Sequence, residues 1–378
     1  MAKKQASSAR RRHNTVILLA GAGSSCLLGL PTLDDILKRA ALGEDDVAAR
    51  IRHTRESIQA ESSRLRTAVF EDLIVRIKYY LEAAKMLRTD HTFRAEAGHL
   101  SYDVDNGHLE RKFKNALTRC YRILIDEYGP RTIDPHSREF AVTADLLRAL
   151  AQINGGQIHV YTTNYDCSFH VLAAHRTELA FLTHIDSNNG KFTDSWHCSK
   201  PSANPEACKV YVHRLHGCIA WFNFADHGSN LGGIVKEVYG AGSDLEITDD
   251  DFLDQMCIKL IASQLIGTNP AFASAFDELC GHLRTAKLLL VWGYSFRDLE
   301  VVRAISQAFS ERRSLLRVLY LDPLLREVTA RENIESVLLR APIQPATALR
   351  PRRIAWTPND GLDALVGAVV RAIRGHDC

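Results

Sequence analysis

A chain of 378 residues, 46% of them hydrophobic and 24% charged, is long enough for one large or two ordinary domains and reads as soluble and globular. Its formal net charge of +2 gives no reason to expect a polyanion as partner of the whole molecule, and no window reaches the roughly 18 to 20 apolar residues that a membrane span needs. Nine cysteines, an odd number at irregular spacing, do not make a disulfide framework and point instead to a reducing cytoplasm.

The chain opens on "MAKKQASSARRRH", with five Lys/Arg and no acid, which reads as a flexible basic arm over residues 1–13 and leaves direct nucleic-acid contact open. "TVILLAGAGSS" then reads as a buried strand running into a glycine turn, and "LPTLDDILKRAAL" carries helical spacing. From 43 to 128 charged and apolar residues interleave at helical period, as in "FEDLIVRIKYYLEAAKML", so this stretch is expected to be a helical insertion. After Pro130 and Pro135 a helix leads to the apolar run Ile158–Thr163. Residues 186–209, rich in Asn, Ser, Pro and Gly, are expected to be a loop ahead of the strand "VYVHRLHG", and the acidic residues 225–255 a mobile excursion. The helix "PAFASAFDELCGHLRTA", the strand "KLLLVWGYSF", the helix "DLEVVRAISQAF" and the strand "LRVLYLDP" follow. Alternation of this kind predicts an α/β fold: a Rossmann-like parallel sheet with helices on both faces, assembled from 14–42 and 129–350, with a last amphipathic helix in 351–378.

Ligands of open α/β sheets sit beyond the carboxyl ends of the strands, so four strand ends are the first places to look for chemistry: "GAGSS", "TTNYD", "HG" and "GYSFRD". Gly21 and Gly23 would let backbone N–H groups approach a phosphate, or simply allow a tight turn; the sixth position of a dinucleotide fingerprint is Cys26 rather than glycine. Asn164 and Asp166 suit either a ligand or the cap of the helix that follows. His216 suits a base or a satisfied structural histidine, and Asp298 suits the cap of "LEVVRAI".

In their order, the four pieces resemble the sirtuin-like (SIR2) superfamily over roughly residues 15 to 325, and "TTNYD", "LHG" and "WGYSFRD" look closest to the SIR2-like NAD hydrolases of bacterial antiphage defence. The resemblance implies that Gly21, Ala22, Gly23 and Ser24 cradle the NAD+ diphosphate, and that Asn164 faces the nicotinamide-side ribose and the attacking water. By the same resemblance Asp166 holds the nicotinamide or ribose end, His216 acts as base, Gly293 and Ser295 meet the ribose and phosphate side, and Asp322 lies toward the adenosine half. It also implies a homo-oligomer in the bacterial cytoplasm, working with a separate sensor such as a HerA-type ATPase, a helicase or an Argonaute-type protein. One departure stands out: the deacylases of the family carry two zinc-binding C-x-x-C pairs, and this chain has none. Cys198 and Cys208 lie inside one expected loop and would need His197 or His213 to complete a site, so no metal is expected and water is the expected acceptor. NAD-dependent protein deacylation and non-catalytic sensing of NAD or ADP-ribose are the alternative functions. DNA cleavage ranks last, for want of clustered carboxylates.

Overall fold

The computed structural model describes residues 16–26, 28–43, 45–61, 69–89, 107–186, 191–198, 204, 206–224, 234–237, 256–258, 270–294, 296, 298–312, 317–321, 352–353, 364, 367 and 371. The basic arm 1–13 lies outside them, and of the expected C-terminal helix only Ala364, Gly367 and Arg371 are described, each helical.

Eight strands form the central sheet. In chain order they are β1 (Val16–Ala20), β2 (Gln157–Thr162), β3 (Leu179–Ile185), β4 (Phe192–Cys198), β5 (Cys208–Arg214), then β9 (Leu288–Trp292), β10 (Arg317–Leu321) and β11 (Arg352–Arg353). Their spatial order is β11-β10-β9-β1-β2-β5-β3-β4, and every neighbouring pair is parallel except β3 with β4. The mixed α/β architecture with a mainly parallel sheet is therefore as the alternation predicted. Strand β1 lies at the centre, with Ile17 opposite His159 on one side and Leu289 on the other. All five of its residues are buried, because both faces of a parallel sheet are covered and no position is left for a polar side chain.

The two faces are filled differently. Val16 and Leu18 point into a core shared with α2 (Leu33–Ala40), α3 (Asp46–Glu61), α4 (Val69–Thr89), α5 (His108–Tyr128) and α6 (Arg138–Ile153). Ile17 and Leu19 point the other way, into a core with α8 (Pro270–Thr285) and α9 (Leu299–Arg312). Period-two alternation along one strand thus feeds two hydrophobic layers, each buried leucine or isoleucine contributing about 1.5–3 kcal/mol.

Local sequence fixes the helix ends. Thr32 and Asp35 close a capping box on α2, the Thr32 side chain accepting from Asp35 N–H and the Asp35 carboxylate accepting from Thr32 N–H. Ser137 caps α6 by accepting from the Phe140 N–H. Asn154, just past α6, accepts from Val16 N–H through Oδ1 at 3.0 Å and donates from Nδ2 to the Gln157 carbonyl at 2.8 Å, which pins the starts of β1 and β2 to each other.

Two expectations change. Residues 186–209 are not all loop: Phe192–Cys198 forms β4, antiparallel to β3. Its polar residues are tolerated because β4 is the sheet's edge, so turn-like composition there concealed a strand. Past β5 the chain enters a second, three-stranded antiparallel sheet of β6 (Gly217–Phe224), β7 (Ile234–Glu237) and β8 (Met256–Ile258), in the order β7-β6-β8. Within 225–255 only β7 is described.

Candidate functional site

The strand order reverses at β1: the chain proceeds to β2 on one side and later returns to β9 on the other, so the carboxyl edge around β1 is the sheet's switch point. Backbone hydrogen bonds carry the pairing past the strand ends. Gly21 N–H donates to the Trp292 carbonyl, Thr163 N–H to that of Ala20, Leu215 N–H to that of Thr162, and Gly293 N–H to that of Leu321. Four loops are thereby held along one rim.

At the β1/β9 junction the glycines serve close approach. A Cβ on Gly21 would lie 2.5 Å from Tyr294 Cα, one on Gly23 would lie 2.8 Å from Gly293 Cα, and one on Gly293 would lie 2.3 Å from Ser24 N. Gly293 also has φ +60°, a left-handed conformation costly for any residue with a side chain. The N–H groups of Gly21, Gly23 and Ser24 donate to the carbonyls of Trp292, Gly293 and Gly21, so these backbone donors are already engaged within the protein. Ala22 begins the short helix α1 (Ala22–Cys26). Phe296 holds φ 56° in the same turn, and a non-glycine residue in that region stores strain next to the rim.

Beyond β2 and β5, polar side chains reach across the rim instead, from the loop after β2 to the loop after β1 and from the loop after β5 to the turn after β9. Thr162 pairs with Arg214, which puts Asn164 and His216 each two residues beyond that pair on strands about 4.8 Å apart. Asn164 is buried and donates from Nδ2 to Ser24 Oγ at 3.1 Å and to Ser25 Oγ at 2.6 Å. Ser25 Oγ in turn donates to Asp166 Oδ2 at 2.5 Å, while Asp166 Oδ1 accepts at 2.8 Å from the N–H of Ser168, the first residue of α7 (Ser168–His175). Asp166 is 1% exposed, and both of its oxygens are used inside the protein. Asn164 Oδ1 is the exception in this network: it is buried and has no hydrogen-bond partner. A buried carbonyl oxygen left unpaired costs about 1–3 kcal/mol, which a ligand donor at that point would recover.

His216 is 2% exposed and its Nε2 lies 2.5 Å from Asp298 Oδ2. Asp298 also caps α9, with Oδ1 accepting from the N–H groups of Glu300 at 2.9 Å and Val301 at 3.4 Å. The positive end of the helix favours the carboxylate, and the carboxylate fixes the orientation of the imidazole. Arg214 donates to the Asp166 carbonyl at 3.1 Å and contacts His170 Nδ1 at 3.1 Å, bracing the loop from below. From the helical side, the buried Glu71 of α4 accepts a hydrogen bond from the Tyr165 hydroxyl at 2.6 Å. Burial, reinforced by Glu71, pushes the Tyr165 hydroxyl well above its ordinary pKa, so it stays a donor.

Beneath the rim, Cys218 donates weakly to the Asp166 carbonyl at 3.6 Å and neighbours Cys167. Burial would raise the Cys218 thiol, but Cys167 and the Arg214 guanidinium hold it below its usual value. Cys198 and Cys208 do not meet, since β3 lies between their strands.

The structure thus places Gly21, Ala22, Gly23, Ser24, Asn164, Asp166, His216 and Gly293 along one rim, while Ser295 and Asp322 lie outside the described residues. Sequence reasoning passed over Ser25, which joins Asn164 to Asp166, and assigned Asp298 only a capping role. Ser25 stands in the quoted "GAGSS", and an acid shortly after a strand-end glycine was the available signal for Asp298.

Residues 158–338, a little under half of the chain, match the family model of the SIR2-like domain. That stretch contains "TTNYD", "LHG" and "GYSFRD". No curated protein matches the chain. Among solved structures, it is similar to a SIR2 homolog in complex with NAD at 12% identity and a TM-score of 0.41, covering 96% of this chain and 91% of that one. A structure described as the basis for the mechanism and regulation of Sir2 enzymes gives 11%, 0.41, 95% and 93%, and one on sirtuin substrate affinity gives 14%, 0.37, 86% and 94%.

Proposed function

We propose that the protein is an NAD+ glycohydrolase that releases nicotinamide and ADP-ribose. The observation that carries this reading is the buried, unpartnered Asn164 Oδ1, just beyond β2 on the rim that also holds the His216–Asp298 pair. An unpaired acceptor suits a ribose hydroxyl or a water molecule, and an imidazole backed by a carboxylate suits proton removal from it.

The chemistry asks little else. The bond from ribose C1′ to nicotinamide breaks, nicotinamide leaves as a neutral molecule with the electron pair, and water adds to C1′ and gives up a proton. NAD+ and water thus become nicotinamide, ADP-ribose and a proton. The Asp298 carboxylate on Nε2 would hold the His216 imidazole in one orientation for proton exchange at the substrate. Asn164, fixed by two serine hydroxyls, would position the water or the ribose, and much of the rate enhancement would come from that positioning. Diphosphate contacts at the first loop would come from groups other than the N–H donors of Gly21, Gly23 and Ser24, which are engaged.

The likeness of the three strand-end motifs to bacterial defence enzymes supports the narrower proposal of a cytoplasmic antiphage effector. It would deplete NAD+ on activation, as a homo-oligomer with a separate HerA-type ATPase, helicase or Argonaute-type sensor. Protein deacylation is the less favoured reading, since no C-x-x-C pair is present and Cys198 and Cys208 are held apart. Incubating the purified chain with NAD+, alone and with the product of its genomic neighbour, and chromatographing the products tests the reading. Nicotinamide and ADP-ribose in equal amounts are expected. O-acyl-ADP-ribose formed only with an acetylated peptide would replace hydrolysis by deacylation. Tight NAD+ binding with no nicotinamide in either arm would replace it by sensing.

A further inference from the structure

On the opposite face of β2 and β5, one strand-step before the rim, three histidines converge. His159 comes from β2, His213 from β5 and His282 from α8, and one ring nitrogen of each lies within 4.8 Å of the others. His159 Nδ1 and His213 Nε2 face each other at 3.0 Å. Behind them, Glu278 Oε2 lies 3.0 Å from His213 Nδ1, which is buried without a well-directed hydrogen bond, and Glu278 Oε1 lies 3.2 Å from His184 Nε2. The Tyr161 hydroxyl contacts His282 Nδ1.

We infer that His159, His213 and His282 form a binding site for a zinc-class divalent transition-metal ion, with Glu278 and Tyr161 orienting the ligands from behind. The imidazole donor set suits zinc and its neighbours rather than calcium or magnesium, which take oxygen ligands. Bonds of about 2.0–2.1 Å to each nitrogen bring ligand atoms to about 3.3 Å from one another, close to the His159–His213 separation. A carboxylate on the outer nitrogen of a histidine ligand is the usual support for such a site, since it sets the tautomer that leaves the inner nitrogen its lone pair.

Flat packing explains part of the cluster. His159 stacks on Tyr211 with centroids 4.6 Å apart, and His213 stacks on Tyr161 at 4.1 Å. A hydrogen bond between His159 and His213 accounts for two of the nitrogens, but neither it nor ring packing accounts for the third, from His282, converging on them with a half-buried carboxylate behind. The other cluster of potential ligands among the described residues, Cys167, His170 and Cys218, has the Arg214 guanidinium 3.1 Å from His170 Nδ1, where a fixed cation opposes a second one.

The inference does not depend on the NAD+ reading, and its test does not use turnover. The full chain is equilibrated with Zn(II), dialysed and assayed for bound metal, and a parallel sample is titrated with Co(II) and followed by its visible d–d absorption. One equivalent is expected with intense, low-symmetry d–d bands. His282→Ala, checked by circular dichroism, should remove both signals, and Glu278→Gln should weaken affinity about 10–100-fold. Tyr161→Phe provides a second, milder variant, with a smaller loss expected. No retained ion and no cobalt bands in the wild type would overturn the proposal. So would binding unchanged in His282→Ala but lost in Cys167→Ser, which would move the ion to the other cluster.

Discussion

At the carboxyl rim, the loop after β1 meets the loop after β9 backbone against backbone, whereas it meets the loop after β2 through side chains. The first junction is closed by glycines that leave no room for a Cβ, and its donors are spent on neighbouring carbonyls. The second is a chain of hydroxyl, amide and carboxylate groups with one acceptor left over. The difference teaches that two stretches equally rich in small and polar letters serve different ends. One sets how near the strands' loops come, and the other holds the groups able to do chemistry.

Removing the polar side chains that stand beyond β2 and β5 should produce the largest effect. Asn164→Ala and His216→Ala are each expected to lower nicotinamide release at least about 100-fold, the low end of what a positioned acid or base supplies, with circular dichroism unchanged. Rates within threefold of wild type in both would remove the site from this rim. Breaking the first junction should instead cost stability. Gly293→Ala must place a Cβ 2.3 Å from Ser24 N at φ +60°, and a loss of more than about 2 kcal/mol is expected in urea unfolding. A variant as stable as wild type would show that the close approach is not required.

Ser25→Ala sharpens the contrast, since it removes the hydroxyl between Asn164 and Asp166 while leaving both in place. A stability loss of about 1–3 kcal/mol is expected, with a rate loss smaller than that of Asn164→Ala. Thr32→Ala, away from both junctions, serves as the reference. It removes half of the α2 capping box and should cost about 1 kcal/mol with no change in turnover per folded molecule. The Asp35 carboxyl is lowered chiefly by its hydrogen bonds to Thr32. Its contribution is therefore present above the usual aspartate pKa and lost as the pH falls through and below it, and Thr32→Ala should flatten that acid-side slope.

Strands β1 and β9 were legible because each is a short, unbroken apolar run between turn residues, the pattern of a strand covered on both faces, and β2 and β10 because β-branched, aromatic and aliphatic residues dominate them despite His159 and Arg317. Strand β4, "FTDSWHC", was not, because its identity comes from pairing with β3 at an edge rather than from its own composition. The same holds within the site. Asn164 and His216 were readable from their places after strands. The bond from Ser25 to Asp166 spans 141 positions and that from His216 to Asp298 spans 82, and nothing local in the sequence announces either. The tri-histidine cluster is hidden for the same reason, its members being scattered over two strands and a helix.

The contact between Glu71 and the Tyr165 hydroxyl has a practical meaning for anyone cutting the polypeptide down to its sheet. Tyr165 sits between Asn164 and Asp166, so excising the α3–α5 layer would unmoor the residue between those two and strip the cover from Val16, Leu18 and their neighbours. A shortened version should therefore be judged as a different molecule, and an idle one would say nothing against the parent.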